Sequence, residues 1–280
     1  MKMGFRTTRY CAALLCLPLC FHAMAQTPVP TEKSLAPYAA SPHAAAIDAG
    51  LKFLIDGGDR GPARWDQYAL LDFLRRRFGL DACYAFSKTF AGKNIIEDDA
   101  AEAKLLGRMT DPSYRAPREL VEGEQQAIMR FMGFAMYCDV YPMPKEEVDK
   151  MFAFYDKGFG GYVATHVILA CQWMKELGCD GTYPAIAAHA PLFADTLCGI
   201  VEKENAQTDV AFEAMAFLYY IGAGDRVRKG WVDNMLSVQR PDGAWAYAPE
   251  GPAHGHPTLL ALWVLLEGAV SGPVHPRWLR

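Results

Sequence analysis

The chain has 280 residues, 51% of them hydrophobic, and a formal net charge of −4. This length and apolar content are sufficient for a sizeable core, in one large domain or two small ones. The basic residues are not gathered into a stripe, which argues against nucleic acid and anionic membrane surfaces as partners.

The first 25 residues have the pattern of a secretory signal peptide. A basic start with Lys2, Arg6 and Arg9 precedes the apolar run CAALLCLPLCF, and Ala23-Met24-Ala25 fits the small-x-small cleavage rule. The apolar run is too short to span a bilayer. We therefore predict export to the periplasm or the medium, a net charge of −7 after cleavage, and no membrane span in the mature chain.

Downstream of this segment, the sequence predicts one helical domain. Residues 26–42 are proline-rich without apolar periodicity and are predicted to be an extended leader, and residues 43–280 form the domain. Its apolar residues recur at helical spacing, and no convincing alternating strand is found, so the fold class is all-α. The predicted helices are 43–56, 65–78, 95–108, 119–137, 145–156, 165–177, 191–203, 208–221, 225–238 and 258–269.

The helices form a repeat. The segments VDKMFAFYDKGFGGY (148–162) and VDNMLSVQRPDGAWAY (232–247) share Val-Asp-x-Met and end in a glycine–aromatic turn. Three apolar helices begin at Thr165, Thr208 and Thr258, which are 43 and 50 residues apart. Threonine in front of an apolar run is a natural N-cap. Periods of this size are typical of stacked helical hairpins, and about five hairpins are predicted.

Gln239, Gly243 and Trp245 form a Q-x-x-x-G-x-W motif that resembles the repeats of squalene–hopene cyclases. The same layout occurs in protein prenyltransferase β subunits and in some α/α-toroid polysaccharide lyases. The resemblance implies an α/α toroid with a funnel-like central cavity lined by the inner helices. It also implies that the glutamine side chain holds a neighbouring helix start while the tryptophan packs over it.

The activities of these families are not carried over. The nearest match to the acidic D-x-D-D motif of the cyclases is IEDD at 96–99, which lacks the first aspartate. The Asp-x-Cys element of the prenyltransferase zinc site has no counterpart near a plausible helix start. The motif therefore indicates the architecture and leaves the reaction open.

The residues beside the repeat threonines are the candidate catalytic group. His166 follows Thr165, Asp209 follows Thr208, and His256 precedes Thr258 by two positions. If the three helix starts point to one rim, these side chains converge as a general acid and base, or as ligands of a divalent metal such as zinc.

Other interpretations of the same residues stay open. His254 lies on the same loop as His256 and can substitute for it. An aspartate in the first turn also favours the positive end of the helix dipole, and a histidine near a helix start often only caps or packs. The loop aromatics Tyr162, Trp245 and Tyr247, together with His254, are the predicted substrate-binding residues, since aromatic rings stack on sugar rings and apolar ligands.

Five cysteines lie beyond the signal peptide, which in an oxidising compartment leaves at least one free thiol or an intermolecular bond. Cys138 and Cys179 follow the ends of equivalent helices, 41 residues apart, so a disulfide between neighbouring repeat ends is possible. Only the loops beyond the helices could close it, because packed helix axes lie farther apart than a disulfide reaches.

Together these features predict an exported toroid protein with a small-molecule or glycan ligand in its cavity. As an enzyme it would be a hydrolase or lyase acting on a carbohydrate or envelope-derived substrate by His/carboxylate or metal-assisted chemistry. The alternative is a non-catalytic ligand-binding or protein-interaction module.

Overall fold

A computed structural model of the chain describes residues 36–56, 65–80, 101–158, 160–270 and 277–279. The predicted signal peptide and residues 26–35 of the predicted leader lie outside these ranges. The rest of the leader is not extended. Residues 36–42 form turns, and Tyr38 is buried in the core with its hydroxyl donating to Asp48 at 3.0 Å.

The all-α prediction is confirmed for the described residues. The helices are α1 (Ala44–Ile55), α2 (Trp65–Phe78), α3 (Ala101–Leu105), α4 (Arg118–Gly123), α5 (Ala127–Met136), α6 (Lys145–Asp156), α7 (Gly160–Glu176), α8 (Pro184–His189), α9 (Phe193–Lys203), α10 (Asp209–Tyr220), α11 (Lys229–Ser237) and α12 (Gly255–Ala269). Four short 3₁₀ turns cover Gly107–Met109, Asp180–Thr182, Ala190–Leu192 and Gly224–Arg226. One two-stranded hairpin, which the sequence did not predict, pairs β1 (Trp245–Ala246) with β2 (Ala253–His254).

Five helices pack against one another in a chain of contacts, and we call them the inner helices. Helix α2 contacts α12, α12 contacts α10, α10 contacts α7, and α7 contacts α5. Helix α3 contacts α2, and Tyr137, which follows α5, donates its hydroxyl to the carbonyl of Leu105 at the end of α3. Helices α1, α4, α6, α9 and α11 each contact at least one of the five.

Two helices from opposite ends of the chain are joined by a buried ion pair. Arg77 at the end of α2 donates its Nε–H to Glu267 of α12 at 2.6 Å, and both side chains are almost completely buried. The same carboxylate accepts the indole N–H of Trp263 at 2.8 Å. The Nη1 and Nη2 atoms of Arg77 have no hydrogen-bond partner among the described residues. The opposite charges are in direct contact, so removing either partner would leave an uncompensated charge in the core.

The prediction that helices begin at the three threonines is wrong for two of them. Helix α7 begins at Gly160 and α12 at Gly255, so Thr165 and Thr258 lie inside their helices and do not cap them. Thr208 is at the N-cap position, but its hydroxyl donates to Glu204 instead of accepting from the helix. Both buried threonines instead use their hydroxyls to hold neighbouring segments.

The Q-x-x-x-G-x-W turn is built as the resemblance implies. The Gln239 amide donates to the carbonyl of Ala46 in the first turn of α1 at 3.0 Å and to that of Gly243 at 2.9 Å. Trp245 is fully buried, its indole N–H donates to Met235, and its backbone N–H donates to the Thr258 hydroxyl. The turn therefore ties the last hairpin to the first helix of the domain.

A disulfide joins Cys138 and Cys179, with their Cα atoms 6.1 Å apart, as the sequence allowed. Cys138 follows the end of α5 and Cys179 follows the end of α7, so the bond links loops beyond two adjacent inner helices. Cys171 and Cys198 are buried free thiols, and Cys83 lies outside the described residues.

One helical stretch among the described residues, Pro184–Lys203, has the length and composition of a membrane span, and 28% of its most apolar window is buried. Composition alone does not separate a membrane span from a surface helix of a globular protein.

Replacing Gly243 should destabilise the fold far more than replacing another glycine that also has a positive φ. Gly243 has a φ of +88°, and a Cβ there would lie 2.3 Å from the carbonyl oxygen of Ala49. We expect Gly243→Ala to lower the free energy of unfolding by about 3 kcal/mol. Gly158 has a φ of +66° with open space around it, so Gly158→Ala should cost only about 1 kcal/mol. Equal losses in urea denaturation would show that the contact with Ala49 is unimportant.

Removing the disulfide should destabilise the fold through the chain it closes. For a loop of 41 residues, the double replacement of Cys138 and Cys179 by serine should cost about 3–4 kcal/mol. Replacing the free thiol Cys198 by serine is the matched control. A double variant as stable as the wild type in denaturant titrations would rule this contribution out.

Candidate functional site

A small cavity, partly open to solvent, lies between the inner helices. Every inner helix contributes at least one side chain to its wall, and the C-terminal segment contributes Trp278. The lining residues are Trp65, Asp66, Leu70, Leu106, Met109, Met132, His166, Leu169, Trp173, Glu213, Phe217, His256, Leu260 and Trp278. The side chains of this cavity therefore come from segments spread over most of the chain.

The wall is ordered in layers because three helices repeat a four-residue step. Asp66 precedes Leu70, Glu213 precedes Phe217, and His256 precedes Leu260 by four positions. Residues four apart lie on one face of a helix, one turn above the other. We call Asp66, His166, Glu213 and His256 the polar layer, and Leu70, Leu169, Phe217 and Leu260 the apolar layer.

His256 connects two carboxylates of the polar region. Its Nδ1 lies 3.0 Å from Asp66 on α2, and its Nε2 lies 3.7 Å from Asp209 on α10. The His256 backbone N–H donates to Nδ1 of His254, the N-cap of α12, at 3.2 Å. Two of the three predicted catalytic residues, Asp209 and His256, are therefore neighbours.

The third predicted residue, His166, belongs to a second group on the same rim. Its Nδ1 donates to the carbonyl of Tyr162 at 2.9 Å, which leaves Nε2 as the acceptor in the neutral ring. Glu213 accepts the Thr165 hydroxyl and lies 3.7 Å from His166 Nδ1. Glu213 therefore belongs to the second group, and its charge also acts on Asp209 and His256 of the first. That the three predicted residues act together at one rim stays a prediction.

Burial and neighbouring charges shift the ionisation of Asp209 and His256. Burial raises the pKa of Asp209 to about 7. The positive charge of His256 lowers this pKa, and the negative charges of Glu213 and Asp66 raise it further. Burial alone would lower the pKa of His256, but the hydrogen bond from its ring to Asp66 and the surrounding carboxylates raise the pKa to about 9. Near neutral pH, His256 is therefore cationic and Asp209 exchanges its proton readily.

Two predicted ligand-binding aromatics lie at the mouth of this region. Tyr162 is 55% exposed and its ring lies 4.0 Å from that of His166, and Tyr247 is 45% exposed and lies 4.6 Å from His254. Tyr162 is in the first turn of α7 and not on a loop as predicted. The Tyr247 carbonyl accepts the backbone N–H of Asp209 at 3.1 Å, which anchors the start of α10.

The ligand-binding role predicted for Trp245 does not fit its position. Its side chain is completely buried, and it is not part of the cavity wall. A Cβ on Gly50 of α1 would lie 3.2 Å from the Trp245 ring, so the indole packs between α1 and α12. Its role is to hold the turn described above.

The zinc prediction for His166, Asp209 and His256 finds no support in the geometry. In the described part of the chain, no group of three or more His, Cys, Asp or Glu side chains is arranged to hold a metal ion. Each imidazole instead faces a carboxylate of the protein itself. The ring nitrogens and carboxylate oxygens that could bind a metal are in contact with one another, between side chains of different helices.

Sequence reasoning missed Asp66 and Glu213. Asp66 is the second residue of α2, and Glu213 follows Asp209 by one helical turn. The signal for Glu213 was present, since a charged residue four positions after Asp209 shares its helix face. Asp66 could not be singled out, because only the contact between α2 and α12 brings it to His256.

No protein-family model, no curated protein and no solved structure matches this chain.

Replacing Asp66 by Asn should lower the pKa of His256 by at least about 1, because the contact between the imidazole ring and the Asp66 carboxylate is the main interaction that raises this pKa. The folded pKa of about 9 exceeds the ordinary 6.5. The pair therefore contributes stability that is fully present below about pH 6.5 and is lost as the pH rises through about 9. Proton NMR titration of the histidine rings measures the change.

Asp156→Asn is the matched control for this prediction. Asp156 accepts from His189 at 3.0 Å in an ion pair outside the cavity. Its replacement should leave the titration of His256 unchanged. A His256 titration unaffected by Asp66→Asn would contradict the proposed electrostatic coupling.

Proposed function

We propose that the chain is an α/α toroid of five helical hairpins, whose central cavity is the active site of a hydrolase or lyase. Contacts pair α4 with α5, α6 with α7, α9 with α10, and α11 with α12, while α1 and α2, the first two helices in chain order, both pack against α12. The contact between α2 and α12 and the passage from α2 through α3 to α5 support a closed ring. The Gln239–Ala46 hydrogen bond between the last and first hairpins supports the same arrangement.

One observation carries the proposed chemistry. Asp209, with a pKa of about 7, lies 3.7 Å from the cationic ring of His256, which lines a cavity that also contains a second histidine. An acid with a pKa near the working pH can both hold and release a proton efficiently. The Nε2 atom of His166, whose Nδ1 is engaged by Tyr162, is the complementary base.

In this mechanism Asp209 and His166 act on opposite sides of the reacting bond. His166 Nε2 takes a proton from a water molecule or from the substrate, and Asp209 gives its proton to the leaving oxygen or nitrogen. His256, held cationic by Asp66, stabilises the negative charge that develops beside it. Water attack gives hydrolysis, and direct proton removal from carbon gives elimination.

The size of the cavity refines the predicted substrate. The apolar layer and the enclosing tryptophans leave a small space with few polar groups below the rim. This favours a small molecule with an apolar body over an extended sugar chain, of which only one end could enter.

We also propose that the protein works in an oxidising compartment, the periplasm or the medium. The Cys138–Cys179 bond supports this, because disulfides persist in exported proteins and are rare in the cytosol.

Asp209→Asn tests the acid role. A panel of p-nitrophenyl esters, p-nitrophenyl glycosides, amides and amine-bearing esters is first screened for a compound that the wild-type protein turns over. With that compound as substrate, Asp209→Asn should lower kcat about a hundredfold or more. In the wild type, activity that needs protonated Asp209 should fall as the pH rises through about 7. Glu202→Gln removes an exposed carboxylate that pairs with Arg228, and this control should retain full activity. Unchanged turnover in Asp209→Asn would reject the mechanism.

The alternative is a non-catalytic binding module, and the exposed Tyr162 and Tyr247 at the mouth favour it. Under this alternative, ligand affinity survives His166→Ala and His256→Ala but falls when Tyr247 is truncated. Under the enzymatic proposal, turnover is lost in the histidine variants while the fold is retained.

A further inference from the structure

The lower end of the cavity contains two indole N–H groups without an acceptor. Trp173 and Trp278 both line the cavity, both are at most 2% exposed, and neither Nε1 has a hydrogen-bond partner among the described residues. Their rings meet edge to face at 5.9 Å. A buried donor without a partner is unfavourable, which makes these two groups a place where a ligand oxygen gains a hydrogen bond.

Two other buried tryptophans show that this fold normally satisfies its indoles. Trp263 donates to Glu267 at 2.8 Å, and Trp245 donates to the carbonyl of Met235 at 2.9 Å. Both are fully buried, as Trp173 is, and neither lines the cavity. In this group of four, the two indoles without a hydrogen-bond partner are therefore those of residues in the cavity wall.

Trp278 is held in place by a built anchor. The Glu176 carboxylate accepts the backbone N–H groups of Trp278 at 3.3 Å and Leu279 at 3.0 Å, and it also accepts the Tyr220 hydroxyl. The Trp278 ring stacks on Phe73, with centroids 4.7 Å apart. The C-terminal segment is thus fixed as the floor of the cavity.

The opposite end of the cavity favours positive charge. Asp66 and Glu213 line this end, Asp209 lies 3.7 Å from His256, and the cationic ring of His256 is already paired with Asp66. A carboxylate or phosphate ligand would meet net repulsion here, whereas an ammonium group would gain charge-assisted hydrogen bonds. From His166 in the polar layer to Trp173 at the floor the distance along α7 is about 10 Å at 1.5 Å per residue.

We propose that the cavity binds a small organic amine whose ammonium group lies in the polar layer and whose far end carries an oxygen that accepts from Trp173 or Trp278. The apolar body of this ligand lies against Leu70, Phe217 and Leu260. The proposal rests on the proposed role of this cavity as the ligand site, and it names the class of molecule that fits it. It holds for a substrate and for a ligand that is only bound.

Three probes of equal length test the two ends separately by titration calorimetry at neutral pH. They are n-hexylamine, 4-methoxybutylamine, in which an ether oxygen replaces one methylene group near the far end, and hexanoate. We expect n-hexylamine to bind at least about tenfold more tightly than hexanoate. We expect the ether amine to bind at least about fivefold more tightly than n-hexylamine, because its oxygen satisfies a buried donor.

Indole variants then assign the acceptor contact. Trp173→Phe and Trp278→Phe should each reduce the preference for the ether amine, and the double variant should abolish it. Trp263→Phe removes an indole of the same aromatic group outside the cavity, and it should leave the preference unchanged. Thermal melting of each variant separates loss of binding from loss of fold.

The result in the wild-type protein decides the proposal even if an indole variant fails to fold. Hexanoate binding as tightly as the amine, or an ether amine binding no better than n-hexylamine, would overturn it. Amine binding without Asp209-dependent turnover would reject only the enzymatic function. Turnover that depends on Asp209, with no amine binding, would reject only this inference.

Discussion

The architecture of the site depends on the contact between α2 and α12, which come from opposite ends of the domain. Two ion pairs lie along this contact, Arg77 with Glu267 at one end and Asp66 with His256 at the other. The first is almost fully buried, so breaking it would leave an uncompensated charge in the core. The second places a carboxylate of α2 beside the histidine of α12. Without this contact, the cavity would lack one wall and His256 would lack the group that keeps it cationic.

The two aspartates beside His256 have the same chemistry but different surroundings. Asp209 and Asp66 both approach the ring of His256, but Asp66 forms the closer ion pair at 3.0 Å, whereas Asp209 lies 3.7 Å away and burial raises its pKa. Near neutral pH, the His256 ring is therefore charged, and the pKa of Asp209 lies close to the pH. Pairs of groups whose pKa values are driven apart in this way are what acid–base chemistry requires.

The two ends of the cavity differ because the helices present different residues at successive turns. At the rim, the inner helices contribute carboxylates and imidazoles. One turn below, they contribute leucine and phenylalanine, and the floor is made by tryptophans. This order of charged, apolar and indole-bearing layers would set which end of a ligand lies at the rim and which lies at the floor.

The sequence by itself determined the all-α class and most helix positions, because apolar periodicity and local turn signals act within a few residues of the chain. Helices over 65–78 and 145–156 have the predicted bounds, and the Gln239 turn has the predicted contacts. It also selected Asp209, His166 and His256, since these lie at equivalent positions of a repeat. The tertiary structure alone decided that Asp66 lies beside His256 and Glu213 beside His166, that Trp245 is buried, and that Trp278 lines the cavity. Asp66 and His256 are 190 residues apart in the chain. Contacts of such range arise from how whole helices pack, and no local pattern encodes them.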